Sequence, residues 1–185
     1  MISGLFTQLC VLWFKISGWK LRGNFDPEVK QYILVVAPHT SNTDFFVGVA
    51  ARKLLKINVK YLAKSELFKF PFKNLFLNLG GYPVDRSKKN SLVDQVVGFF
   101  RKSDDFALCV TPEGTRGKVE EWRTGFYIMA VKAEVPIIMV GFDYQKKEVV
   151  ISDFFRPSGQ LEKDLEFMHA FFEKIHPKHP EKSMY

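Results

Sequence analysis

Cysteine and histidine are scarce in this chain of 185 residues, and their scarcity argues against several classes of site. The two cysteines, Cys10 and Cys109, lie far apart, so they indicate neither a disulfide framework nor a cysteine-rich metal site, and they fit a reducing cytosol. Three of the four histidines lie towards the C-terminus without zinc-ligand spacing, so we expect no bound metal. The sequence also lacks Gly-x-Ser-x-Gly, the nucleophile elbow of many hydrolases.

Acidic residues are fewer than basic ones. The chain has 20 Asp and Glu against 27 Lys and Arg, which gives a formal net charge of +7. Much of the excess lies between Arg52 and Lys102, where twelve basic residues stand against three acidic ones. A basic surface favours a negatively charged partner, which could be nucleic acid, an anionic membrane or a phosphorylated substrate. Charge alone does not choose among them.

Long apolar runs are also absent. The first run, residues 2–14, is short of the roughly 20 residues that a spanning helix needs. It has no preceding basic region and no small-residue cleavage site, so we expect it to be retained. Its apolar residues recur at helical spacing, and three basic residues follow them: Lys15, Lys20 and Arg22. Residues 1–24 therefore predict an amphipathic helix in the membrane interface, with Trp13 and Trp19 near headgroup depth. A helix docked on the protein core fits the same spacing.

Residues 25–185 indicate one α/β domain. Short β-rich runs occur at 32–38, 58–63, 106–112 and 135–142, and an added strand is predicted at 148–154. Helical periodicity is found between them, at 44–56, 65–79, 90–102, 124–134 and 160–175. This alternation predicts a mixed, largely parallel sheet covered by helices.

His39 and Asp44 are the first candidate pair. His39 ends a hydrophobic strand, and Asp44 lies in the first turn of the following predicted helix. An imidazole that donates one nitrogen to a carboxylate has a fixed tautomer and greater basicity, which deprotonation of a hydroxyl near neutral pH requires. The spacing by itself is also that of a helix cap rich in Asp and Asn.

Two further polar clusters follow strands, and sites in open α/β sheets lie beyond the carboxyl ends of strands. In the cluster 113–117, glycines permit a tight turn and Arg116 offers a two-pronged grip on phosphate. In the cluster 85–90, Arg86 supplies a second cation beside Asp85. Taken singly, the two clusters also fit a structural turn and a surface ion pair.

The motifs in chain order resemble the glycerolipid acyltransferase superfamily, in particular the short bacterial 1-acylglycerol-3-phosphate (lysophosphatidate) acyltransferases. That family has a His-x4-Asp block, a block ending in aspartate and arginine, a Glu-Gly-Thr-Arg block, and a proline amid apolar residues. Here the blocks read HTSNTD at 39–44, GGYPVDR at 80–86, PEGTR at 112–116 and VPIIMV at 135–140. The resemblance covers about residues 30–145.

This resemblance implies an O-acyltransferase of phospholipid biosynthesis. His39 would deprotonate the acceptor hydroxyl, Asp44 would orient His39, and the hydroxyl would attack a thioester directly, without an acyl-enzyme. The donor would be acyl-CoA or acyl carrier protein, with no bound cofactor, and the acceptor a lysophospholipid such as 1-acylglycerol-3-phosphate. The residues implied to bind the glycerol phosphate of the acceptor are Arg86, Glu113, Gly114, Thr115 and Arg116, while Val135 and Pro136 would shape the acyl-donor side.

The expected location is the cytoplasmic face of the inner membrane, with peripheral or monotopic attachment to an anionic surface and no nucleic acid bound. Basic and aromatic residues interleave at 65–77, and we expect this segment to lie on the headgroup layer beside the N-terminal helix. Two alternatives remain: another lysolipid or hydroxylated lipid as acceptor, or a non-catalytic basic module that binds membrane or nucleic acid. A binding module explains the net charge but leaves the ordered motifs as coincidences.

Overall fold

The computed structural model describes residues 2–64, 73–78, 80–84 and 92–185. The helices in these ranges are α1 (Ile2–Ile16), α2 (Thr43–Leu54), α3 (Lys73–Asn78), α4 (Leu92–Lys102), α5 (Gly125–Ala133) and α6 (Leu161–Phe172). The strands are β1 (Lys20–Arg22), β2 (Gln31–Val36), β3 (Val59–Lys64), β4 (Gly81–Val84), β5 (Phe106–Val110), β6 (Ile137–Asp143) and β7 (Glu148–Ile151). A short 3-10 helix, Pro180–Lys182, lies near the C-terminus.

These strands form one sheet in the order β1-β7-β6-β2-β5-β3-β4. Neighbouring strands run parallel except β6 and β7, which form an antiparallel pair. The predicted mixed, largely parallel sheet is thus confirmed. β1 was not predicted, because three residues carry too little pattern to indicate a strand.

Both faces of the sheet are covered, which explains why the central strands are apolar along their whole length. Successive side chains of a strand point to opposite faces. Ile33 and Val35 therefore join one core cluster with residues of α4, α5 and α6. Leu34 and Val36 join a second cluster with residues of α1 and α2. The domain is a three-layer α/β arrangement around these two cores.

The predicted helices agree with the structure wherever it describes them. Helices α2, α4, α5 and α6 each begin and end within three residues of the predicted bounds. The helix predicted at 65–79 overlaps α3, but residues 65–72 and 79 lie outside the described residues. The headgroup-facing role expected for 65–77 therefore stays a prediction.

The N-terminal helix is docked on the core, while its attachment to a membrane stays a prediction. Its inner side is docked on the second core cluster, where Cys10 and Phe14 are buried. Its outer side exposes Leu5, Leu9, Leu12, Trp13 and Ile16. The placement of Trp19 near headgroups was wrong: this side chain is 7% exposed, because it packs between Phe14 and Tyr144. No helix among the described residues is both long and apolar enough to cross a bilayer.

The polar loops lie together at one edge of the sheet, which we call the polar edge. Strands β5, β2 and β6 lie side by side and parallel, so their carboxyl ends meet at the same edge. Beyond those ends lie residues 37–44, residues 111–117 and Tyr144.

The C-terminal segment also docks against this part of the sheet. Ile175 of this segment packs against Gly141 of β6, where a Cβ would lie 2.5 Å from Ile175 Cγ1. Only glycine leaves room for Ile175 at this close approach. Residues after Ile175 are thereby led towards the polar edge, where they contact the loop that follows β2.

Candidate active site

His39 and Asp44 form a hydrogen-bonded pair at the polar edge. His39 follows the buried strand β2, and Asp44 lies in the first turn of α2. Their contact joins His39 Nδ1 to Asp44 Oδ2 at 2.9 Å, and the side chains are 19% and 3% exposed respectively. An ionised carboxylate only accepts hydrogen bonds, so Nδ1 carries the proton and Nε2 keeps its lone pair. The pair therefore has the arrangement of a general base.

The fold holds the Asp44 carboxylate on both of its oxygens. The backbone N–H groups of Thr40 and Ser41 donate to Oδ2, each at 3.1 Å. The Tyr144 hydroxyl donates to Oδ1 at 2.5 Å. Together with His39, these donors fix the orientation of a carboxylate that is almost fully buried. A carboxylate so held can orient an imidazole with little freedom.

Glu113 connects the second polar loop to the first. Its Oε1 accepts the backbone N–H of His39 at 3.1 Å. Its Oε2 is buried and has no hydrogen-bond partner among the described residues. Burial raises the pKa of Glu113 to about 7, although the His39 N–H and the His39 charge act in the opposite direction. Glu113 therefore connects the loop after β5 to His39 by a hydrogen bond, and its carboxyl group titrates near neutral pH.

Gly114 adopts a backbone conformation that favours glycine in the turn after β5. Its φ is +64°, in the left-handed region that favours glycine. A Cβ there would lie 3.1 Å from the guanidinium of Arg123. The Arg123 backbone N–H also donates to Pro112 O at 2.9 Å. A second arginine, Arg123, thus packs against the turn, in addition to the predicted and exposed Arg116.

The C-terminal segment supports the loop that bears His39. Lys178 Nζ donates to Thr43 Oγ1 at 2.6 Å, and the His179 N–H donates to Thr40 Oγ1 at 3.2 Å. Thr40 and Thr43 both precede Asp44 in the same motif. The tail therefore contributes to the walls of the site, a role that its polar composition did not reveal.

The structure brings some of the predicted site residues together and separates others. His39, Asp44 and Glu113 are in one hydrogen-bonded cluster, and Gly114, Thr115 and Arg116 follow Glu113 directly. Arg86 lies outside the described residues. The substrate-binding roles predicted for Arg86 and for residues 113–116 stay predictions.

Val135 and Pro136 lie at the other edge of the sheet. They precede β6, and Pro136 O accepts the N–H of Ile33 near the start of β2 at 2.9 Å. Because β2 and β6 are parallel, the start of β6 is separated from His39 by the length of the strand. The sequence block at 135–140 correctly predicted a strand. It did not indicate that Val135 and Pro136 precede this strand, at the end away from His39. A direct contact of either residue with a group held at His39 does not follow from this placement.

Tyr144 is the site residue that the sequence analysis missed. It stands 100 positions from Asp44 in the chain, and no motif surrounds it. One signal was available: Tyr144 follows a predicted strand, and residues beyond strand ends gather at one edge. That signal needs the strand order, which local patterns do not supply.

Comparison with known proteins defines the class. The Acyltransferase family profile matches residues 20–143, more than half of the chain, so the chain belongs to this family. Its fold is similar to the crystal structure of the 1-acyl-sn-glycerophosphate (LPA) acyltransferase PlsC from Thermotoga maritima, with a TM-score of 0.64. The two chains are 19% identical over a match that covers 94% of this chain and 77% of the other, which shows a shared fold. No curated protein matches the chain.

Proposed function

We propose that this acyltransferase moves a fatty acyl group from a thioester donor to the hydroxyl of a lysophospholipid, 1-acylglycerol-3-phosphate, in phospholipid biosynthesis. The observation that carries the proposal is the His39–Asp44 pair at 2.9 Å, with Glu113 bonded to the same histidine. In an acyltransferase, a histidine held in this way suits the activation of an acceptor hydroxyl. The donor is acyl-CoA or acylated acyl carrier protein, and no bound cofactor is needed.

The proposed reaction uses His39 twice. Nε2 accepts the proton of the acceptor hydroxyl as its oxygen attacks the thioester carbonyl, and Asp44 stabilises the imidazolium that forms. The new C–O bond makes a tetrahedral intermediate, which collapses with cleavage of the C–S bond. The leaving thiolate takes the proton back from Nε2. Direct transfer of this kind needs no nucleophile from the protein. Cys109 would be a poor nucleophile, because burial raises the pKa of its thiol to about 12.

The phosphate of the acceptor is assigned to the loop after β5. Arg116 is exposed on this loop, and the side chain of Arg123 lies next to Gly114. A guanidinium binds a phosphate monoester with two parallel hydrogen bonds. Two such groups next to the loop that bonds His39 would place a phosphate-bearing acceptor beside the base.

The first test is transfer of a labelled acyl chain in vesicles that contain lysophosphatidate. Acyl-CoA and acyl carrier protein are compared as donors, and other lysophospholipids and monoacylglycerol as acceptors. We expect transfer to lysophosphatidate from at least one donor at a rate well above transfer to monoacylglycerol. Transfer to a different lysolipid would reassign the acceptor. Absence of transfer to every acceptor would favour the non-catalytic basic module.

Arg116→Ala tests the phosphate assignment. We expect KM for lysophosphatidate to rise about tenfold or more, since a charge-assisted contact is worth roughly 1.5–3 kcal/mol, and KM for monoacylglycerol to stay unchanged. Lys118→Ala is the matched control, because Lys118 is an exposed cation two positions further along the loop. Equal effects of Arg116→Ala on both acceptors would remove Arg116 from phosphate binding.

The proposal includes peripheral attachment at the cytoplasmic face of the inner membrane through α1. Leu5, Leu9, Leu12 and Ile16 are 61%, 56%, 53% and 77% exposed, and they share one side of the helix. Phe45 and Phe46 of α2 extend this apolar surface, since both rings contact Phe6 of α1. An apolar helix face on a basic protein suits an anionic lipid surface.

Charge substitution tests this attachment better than truncation, because removal of residues 1–21 would also remove the buried Phe14 and Trp19. Leu9→Glu with Leu12→Glu should abolish cosedimentation with phosphatidylglycerol vesicles. Phe167→Glu is the control, since Phe167 is 54% exposed on α6, across the sheet from α1. Undiminished vesicle binding by the double variant would refute attachment through α1.

A further inference from the structure

The Tyr144 hydroxyl contacts the Asp44 carboxylate on the oxygen that His39 does not use. It donates to Oδ1 at 2.5 Å, while His39 Nδ1 lies 2.9 Å from Oδ2. We propose that Tyr144 is a positioning residue of acyl transfer, which holds Asp44 in the orientation that His39 needs and moderates the charge that Asp44 presents to it. This inference rests on the proposed function. It extends the His39–Asp44 pair to a hydrogen-bonded chain of three residues, Tyr144, Asp44 and His39, which reaches the end of β6. We call this chain the relay.

The fold fixes Tyr144 from two other sides. The Trp19 ring lies edge-on against the Tyr144 ring, with centroids 4.9 Å apart and an interplanar angle of 90°. The Tyr144 backbone N–H donates to His176 O at 2.8 Å, which anchors the residue to the C-terminal segment. Neither contact uses the hydroxyl. The packing therefore delivers this hydroxyl to Asp44 rather than letting the ring swing outward.

Several ionisable groups surround this relay and must be considered in any test by pH. They are His39, Glu113, Asp143, Lys146, His176 and Lys178. Three of them already have partners in a separate cluster: Asp143 Oδ2 lies 3.0 Å from His176 Nδ1 and 3.7 Å from Lys146 Nζ. Burial, followed by the contact with Asp44, raises the pKa of Tyr144. The hydroxyl thus keeps its proton and remains a donor throughout the neutral range.

Loss of the Tyr144 hydroxyl has two physical consequences. Asp44 Oδ1 loses the donor that the structure gives it, so more of the carboxylate charge acts on His39 and favours the imidazolium. The carboxylate also gains rotational freedom, which weakens its control of the imidazole. At a given pH, less of His39 is then available as a base. The first effect is electrostatic, and a residue that only supported packing would not produce it.

The protein contains a matched control for this contact. Tyr127 donates to Asp164 Oδ2 at 2.6 Å, in a buried pair that involves no histidine. Tyr127→Phe removes the same chemical group from a bond of similar length. Any general effect of deleting a hydroxyl that donates to a buried aspartate will be present in both variants.

The experiment compares wild type, Tyr144→Phe and Tyr127→Phe by two measurements. The first follows the Cε1–H resonance of His39 by NMR against pH, with His39→Ala used to assign the signal. The second determines kcat and KM for acyl transfer to lysophosphatidate across the same pH range. The NMR arm needs no activity, so it tests the relay even if the acceptor has been misassigned.

For Tyr144→Phe we expect the NMR titration curve of His39 to move to higher pH than in wild type, because more of the Asp44 charge acts on the imidazole. The acidic limb of the kcat profile should move with it. Its plateau should fall roughly 3- to 30-fold, less than the roughly 10²- to 10⁴-fold loss expected without a base. KM should stay close to the wild-type value. Tyr127→Phe should change none of these.

An unmoved His39 titration in folded Tyr144→Phe, or an equal shift in Tyr127→Phe, would overturn the positioning role. If wild type transfers no acyl group but the His39 titration still moves in Tyr144→Phe, the proposed function is refuted and the relay is left intact.

Discussion

Two tyrosine–aspartate pairs with buried carboxylates look alike in this protein and lie in different surroundings. Tyr144 donates to Asp44 at 2.5 Å beside the polar edge of the sheet. Tyr127 of α5 donates to Asp164 of α6 at 2.6 Å in the opposite helical layer. Both carboxylates are almost fully buried, at 3% and 4% exposed. The hydrogen bond and the burial are therefore common to a candidate site and to a structural contact.

The remaining donors distinguish the two pairs. Asp164 accepts the backbone N–H and the hydroxyl of Ser158 at 2.7 and 2.8 Å, so its charge is used within the fold. Burial alone would raise the pKa of Asp164, but the bonds from Tyr127 and Ser158 outweigh it and the pKa is lowered. Asp44 instead accepts one of its hydrogen bonds from an imidazole, that of His39. Asp44 thus orients an imidazole at the polar edge, where Glu113 also bonds to His39, whereas Asp164 orients none.

The largest expected effect follows removal of that base. His39→Ala should lower kcat roughly 10²- to 10⁴-fold while the protein remains cooperatively folded, as measured by transfer assays and thermal unfolding. His176→Ala is a matched control, because His176 Nδ1 lies 3.0 Å from another buried aspartate, Asp143. We expect the control to keep its rate. A folded His39→Ala variant with undiminished kcat would erase the distinction between the two pairs.

The structural pair should respond in the opposite way. Asp164→Asn should reduce the free energy of unfolding by about 1–3 kcal/mol, because a buried network of charge-assisted hydrogen bonds loses an acceptor. Urea unfolding measures this loss, and kcat per folded molecule should match wild type. If the unfolding curve is unchanged, the Tyr127–Asp164 contact does not stabilise the fold.

A smaller effect concerns stability against pH at Glu113. Its folded pKa of about 7 lies above the ordinary 4.5, so between these values the folded state holds a proton that the unfolded chain releases. Stability contributed by this group is complete below about pH 4.5 and is lost as pH rises towards 7.

Glu113→Gln keeps a neutral side chain at every pH. Its Tm should therefore gain about 2–5 °C on wild type between pH 5 and pH 8, as followed by calorimetry. A constant difference in Tm across this range would show that Glu113 does not titrate in this window.

The fold was largely predictable because its signals are local. Strand-length apolar runs alternate with segments of helical period, and this pattern specifies an α/β sheet without knowledge of contacts. The His39–Asp44 pair was accessible for the same reason, since five positions connect a strand end to the first turn of the next helix. Tyr144 was not accessible, because its contact depends on β6 lying next to β2 in the sheet.

Two other placements also depend on more than local sequence patterns. Val135 and Pro136 belong to the predicted strand but lie at its amino end, away from His39. The tail from His176 to His179 reaches the loop that bears His39 because Gly141 admits Ile175, a packing detail without a sequence signature. Residues that act through long-range contacts are those that sequence patterns leave out.

The most direct test of this account is the initial rate of labelled acyl transfer to lysophosphatidate by wild type, Asp44→Asn and Asp164→Asn, each corrected for folded protein. We predict that Asp44→Asn loses roughly 10²-fold or more, because His39 loses the carboxylate that orients it. Asp164→Asn should transfer at the wild-type rate. A wild-type rate in Asp44→Asn, or an equal loss in Asp164→Asn, would contradict the assignment of catalysis to the His39–Asp44 pair.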